Sequence, residues 1–99
     1  MWVLVLFDLP VSTKTERRKA LYFRNVLLDL GFEMVQYSVY IKHCAGKEQA
    51  EGVQNKVSLA VPEHGNVKLI FITDKQFGNI VHLGSHKKNR VVSEQLALF

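Results

Sequence analysis

Apolar and polar residues alternate along this chain in blocks that mark its elements. Trp2-Val3-Leu4-Val5-Leu6-Phe7 is an unbroken apolar run closed by Asp8 and Pro10, which predicts a strand buried on both faces. Thr13-Lys14-Thr15-Glu16 has capping-box spacing and opens a helix. Ala20, Phe23, Val26, Leu27 and Leu30 then recur at helical intervals, and Gly31 predicts a left-handed cap. From Phe32 to Cys44 the chain reads as β again, with Val35, Val39, Tyr40 and Ile41 carrying the propensity and a break over Gln36 to Ser38. Gly46 precedes a second helix that places Ala50, Val53, Val57 and Val61 on one face, and Pro62 and Gly65 stop it. Val67 to Ile72 is the next strand, and Phe77 to Leu83 predicts a short fifth one. The order βαββαβ predicts an α+β, ferredoxin-like sandwich: an antiparallel four-stranded sheet, two helices on one face, and a short extra C-terminal strand.

That architecture creates a problem of cover. Two helices shield one face of the sheet, yet the first strand is apolar at every position from Trp2 to Phe7. Burying one Leu- or Phe-sized side chain is worth roughly 1.5–3 kcal/mol, so a whole wet face is a heavy loss and an aggregation hazard. A second copy related by a two-fold axis is the simplest cover, which predicts a sheet-to-sheet homodimer. The alternative is that the C-terminal segment folds over its own sheet.

Composition narrows the picture further. Ninety-nine residues suit one compact domain, expected over 1–83, with a basic C-terminal extension over 84–99 that holds His86-Lys87-Lys88-Asn89-Arg90. Hydrophobic residues at 47% and charged residues at 22% exclude a disordered chain. Thirteen Lys and Arg against nine Asp and Glu give a net charge of +4, a mild lean toward a polyanionic partner. One cysteine, Cys44, excludes an internal disulfide framework and suits a reducing compartment. The N-terminal apolar run lacks a basic leader and a small-residue cleavage site, and no stretch reaches membrane-spanning length. A cytoplasmic protein without a membrane partner is expected.

Asp8 is the candidate for chemistry, because it ends an apolar strand just before Pro10 turns the chain. One reading is that its carboxylate satisfies backbone donors in the turn. The other follows from the dimer: a two-fold axis near this strand end brings two Asp8 side chains together, and paired carboxylates need a cation or a shared proton. Magnesium or manganese suits so sparse an oxygen site and can activate water against a phosphodiester.

At this point the chain resembles a known family. Leu6-Phe7-Asp8-Leu9-Pro10, Glu16-Arg17-Arg18, Phe23-Arg24, Leu27-Leu28, Gly31-Phe32 and Gln36-Tyr37-Ser38-Val39-Tyr40 are similar, in order, to CRISPR-associated protein 2. Gly65-Asn66-Val67 through Asp74-Lys75-Gln76-Phe77 resembles that family's last core strand and its exit. Lys75-Gln76-Phe77 is similar to the branch that accompanies single-protein, dual-RNA-guided effectors. The likeness covers about the first eighty residues, and the tail after Gly84 departs from it. It implies a ferredoxin-like homodimer whose two Asp8 carboxylates face each other and bind magnesium. It also implies a complex with the integrase, CRISPR-associated protein 1, in which the dimer bridges integrase dimers along double-stranded DNA during spacer acquisition. Some members are described as metal-dependent ribonucleases or deoxyribonucleases, which would make Asp8 catalytic and single-stranded RNA a further partner, whereas in others the aspartate is dispensable for acquisition.

The basic residues fit either of two readings. Lys14, Arg18 and Asn25 lie opposite the Phe23 and Leu27 face of the first helix, flanked by Arg17 and Arg24, and Lys87, Lys88 and Arg90 form a second patch. Each patch is an ordinary solvated surface or a set of phosphate contacts that positions nucleic acid without reading its sequence. His43 beside Cys44, and His82 with His86, lack ligands at metal-site spacing and read as solvated or structural. A free-standing, toxin-like metal-dependent ribonuclease is the competing function, to be separated by genomic neighbours. An RNA-recognition module shares the element order but needs exposed aromatics that Val67 to Ile72 does not supply.

Overall fold

The computed structural model describes residues 1–84. In chain order it forms β1 (Trp2–Asp8), α1 (Lys14–Asp29), β2 (Glu33–Gln36), β3 (Val39–His43), α2 (Lys47–Ala60), β4 (Asn66–Ile72) and α3 (Asp74–Gly78). The strands make one antiparallel sheet in the order β2-β3-β1-β4, which places β1 at the centre. This is the expected ferredoxin-like sandwich. Among the described residues no helix is long and apolar enough to cross a membrane.

Local signals account for the elements. Thr13 caps α1: its hydroxyl accepts from the Glu16 amide while the Glu16 carboxylate accepts from the Thr13 amide, both at 3.0 Å. At the other end the Phe32 amide donates to Leu27 O and the Gly31 amide to Leu28 O, each at 3.0 Å, the paired bonds of a Schellman motif. Gly31 has φ +97°, a backbone conformation that favours glycine. The Schellman turn drops Phe32 into the core beside Leu27.

Val3 and Val5 of β1 are 0% exposed and pack with Phe23 and Leu27 of α1, Tyr40 of β3, and Ala50, Val53, Val57 and Ala60 of α2. Cys44 is buried in the same cluster, and its amide donates to Met1 O at 2.8 Å. The two helices therefore share one face. On the other face β1 presents Trp2, Leu4, Leu6 and Asp8, level with Ile72, Ile70, Lys68 and Asn66 of β4. Leu4 and Leu6 are half-buried and Ile70 is 44% exposed, so among the described residues the two long helices close β1 on one side only.

One expectation is corrected. The fifth strand over Phe77 to Leu83 does not form; α3 takes up Asp74–Gly78, and residues 79–84 are irregular. Thr73 and Gln76 repeat the reciprocal capping box of α1, with bonds of 2.8 and 3.1 Å, and this local geometry outweighs the β-propensity of the apolar residues that follow.

Candidate nucleic-acid interface and its carboxylate

Asp8 ends β1 opposite Asn66. Beyond it Leu9 closes over Gly65, where a Cβ would stand 2.8 Å from Leu9 Cδ2 and 3.0 Å from Pro62 O, so the two loops meet only because residue 65 is glycine. The first turn of α1 fixes the rest of the loop. Glu16 Oε1 accepts from the Ser12 amide at 2.9 Å, and Arg17 Nη1 donates to Val11 O at 3.1 Å and Ser12 O at 3.3 Å. Asp8 thus projects from a braced corner.

Its own carboxylate is exposed and engages no hydrogen bond or ion pair among the described residues. The turn-satisfying alternative is therefore not adopted: the backbone donors of the loop are met by Glu16 instead. Among the described residues no three His, Cys, Asp or Glu side chains are grouped to hold a metal. At this corner the described residues offer a cation a lone carboxylate, and a closed site needs further ligands.

Lys14 and Arg18 are exposed and one turn apart on the first two turns of α1, close in sequence to Asp8. Arg17 shares this region, but its guanidinium is engaged by its own loop, which sequence spacing did not reveal. Arg24 stands about 9 Å further along the helix axis than Arg18. Its Nε donates to the Tyr40 hydroxyl at 3.1 Å, and that bond, with the charges of Tyr40 and Tyr37, raises its pKa above the ordinary value. Lys87, Lys88, Arg90 and His86 lie outside the described residues.

The opposite end of β1 is built differently. Trp2 stacks on Phe77 of α3, with centroids 3.9 Å apart and planes at 10°, and meets the His43 ring edge-on at 4.8 Å. Asp74 Oδ1 lies 3.1 Å from the N-terminal ammonium and 3.3 Å from His43 Nε2. The hydrogen bond from that ammonium, supported by its charge and by His43, holds the Asp74 carboxyl below its usual range. His43 is half-exposed between Trp2 and Asp74, and His82 is exposed.

A central strand with a bare carboxylate at its end, in a four-stranded βαββαβ sandwich with basic residues on the adjoining helix, defines a small ferredoxin-like α+β protein. The family of CRISPR associated protein Cas2 matches residues 1–80. The chain is 46% identical to the CRISPR-associated endoribonuclease Cas2 of Flavobacterium psychrophilum, a match covering 100% of this chain and 88% of that protein. It is 45% identical to the protein of the same name from Parvibaculum lavamentivorans, with all of both chains covered. Streptococcus pyogenes Cas2, in a crystal structure at pH 6.5, has the same fold with a TM-score of 0.65 at 19% identity, over 85% of this chain and 100% of that one. The chain belongs to the Cas2 family.

Proposed function

We propose that this chain serves CRISPR spacer acquisition in the cytoplasm as a homodimer that bridges CRISPR-associated protein 1 integrase subunits along double-stranded DNA. The observation that carries the reading is the half-covered sheet: Leu4, Leu6 and Ile70 face away from both long helices, and Phe77 shields only the Trp2 end. Pairing two such faces buries them and brings two Asp8 corners toward one axis. Lys14 and Arg18, exposed on each α1, would then contact phosphates on both sides of that axis.

A pair of Asp8 carboxylates is the donor set that suits magnesium or manganese. Such an ion supplies charge neutralisation at a phosphodiester and an acidified water. The name endoribonuclease carried by the relatives favours cleavage as a second activity of the same corner. One carboxylate per chain is few ligands for an efficient nuclease, so the scaffold role is the principal one.

Light scattering at micromolar concentration should give twice the mass of the chain, and a monomer would overturn the dimer. Co-purification with the integrase, followed by spacer integration with Asp8→Ala, tests the rest. Integration is expected to persist while metal-dependent cleavage is lost; loss of integration with the dimer intact would make the carboxylate essential to acquisition.

A further inference from the structure

The β2–β3 turn carries a feature that the duplex-bridging role does not use. Tyr37 sits at the tip of this turn and is 89% exposed. An exposed ring on a loose loop would be unremarkable, but this turn is fixed on both sides. Ser38 adopts φ +65°, a conformation that polar residues tolerate in tight turns, and its carbonyl accepts from the Phe7 amide at 3.1 Å. That bond joins the turn to β1 one residue before Asp8. The β1–β3 pairing ends with Leu6 facing Val39, so the turn lies at the end of β1 that bears Asp8.

Arg24 supplies the second element. Its Nε is anchored on Tyr40, a residue only 1% exposed, while the arginine itself stays at the surface. Its remaining N–H groups are free of any recorded partner among the described residues. Tyr40, which holds that guanidinium, follows Tyr37 by three residues at the start of β3. A solvent-facing aromatic ring on a turn tied to the sheet, with an anchored cation nearby, is an arrangement with which proteins hold unpaired bases: the ring takes the π-face and the cation takes the neighbouring phosphate. Bases inside a duplex already stack on one another and cannot use it.

We propose that Tyr37 stacks on an unpaired nucleobase of a single-stranded segment, with Arg24 on the adjoining phosphate, so that the strand is held at the sheet end that bears Asp8. Tyr37 is in this sense a positioning residue. The proposal rests on the nucleic-acid-binding reading above, and names the state of the strand and the group that holds it.

Fluorescence anisotropy with the full-length protein tests it, using a short labelled DNA single strand, an RNA strand of the same sequence, a matched abasic strand and a duplex. Tyr37→Ala should weaken both base-bearing single strands about tenfold, the effect of losing one stacked base, and leave duplex and abasic binding unchanged. Tyr37→Trp should restore the affinity. Equal binding of single strands by wild type and Tyr37→Ala overturns the proposal, as does parallel loss on duplex and single strand. A loss confined to RNA would place recognition on the 2′-hydroxyl and also overturn stacking. Unchanged nucleic-acid binding with loss of integrase co-purification would assign Tyr37 to a protein interface instead. Failure of the wild-type protein to bind duplex strikes the scaffold reading, whereas intact duplex binding with an indifferent Tyr37→Ala strikes only the stacking proposal.

Discussion

The two ends of β1 put their polar and aromatic groups to opposite uses. At the Trp2 end every such group has a partner: the indole lies between Phe77 and His43, and Asp74 is shared by His43 and the N-terminal ammonium. At the Asp8 end the backbone is braced, through Glu16, Arg17 and Gly65, but the Asp8 carboxylate and the Tyr37 ring remain unengaged. The first end fastens α3 to the sheet. The second leaves its side chains open to solvent. The contrast separates side chains that hold the fold together from side chains that the fold only presents.

Substitutions at the two ends should therefore separate stability from activity. The largest loss is expected from Trp2→Ala, about 2 kcal/mol by urea unfolding, because it removes a half-buried ring with two aromatic partners. An unchanged midpoint would show that α3 is not fastened by this stack. Arg17→Ala comes next, at about 1 kcal/mol for two hydrogen bonds to loop carbonyls. By contrast Arg18→Ala should leave unfolding unchanged and lower the salt slope of duplex binding by about one unit. If both variants change only the salt slope, Arg17 is a phosphate contact rather than a brace.

Asp74→Asn should have a smaller, pH-dependent effect. The folded carboxyl titrates below its ordinary value of 3.8, so its stabilisation is complete above that value and fades as pH falls through the folded pKa. The difference in melting temperature between wild type and Asp74→Asn should accordingly be present above that ordinary value and vanish in acid. A difference that persists in acid would remove the ion pair from the account. Asp8→Ala should change stability least, by less than about 0.5 kcal/mol, since nothing in the chain binds that carboxylate. A large loss would reveal a structural role that the geometry does not show.

Much of this was legible in the sequence where the signal was local. Thr13 and Glu16 announced α1, Gly31 its end, and the apolar run from Trp2 placed Asp8 at a strand terminus. Thr73 and Gln76 carried the same spacing before α3, but five residues are too few for a helical period, and the apolar residues beyond it suggested a strand. The Arg24–Tyr40 bond was hidden because it joins a helix to a strand sixteen residues later. The Trp2–Phe77 stack was hidden for the same reason, since only the folded sheet brings the two together. Arg17 and Arg18 are neighbours with the same charge, and nothing short of the loop's geometry distinguishes the engaged one from the free one.

The buried Cys44 has a practical consequence. It is the chain's sole thiol, and a thiol-reactive dye can reach it only when the core around Val3 and Tyr40 parts. Its labelling rate is thus a clock for opening events, carried by every molecule without any engineered tag. Because the two strand ends lie far apart along β1, the same clock read in Trp2→Ala and Asp8→Ala would tell which end governs how often the core opens.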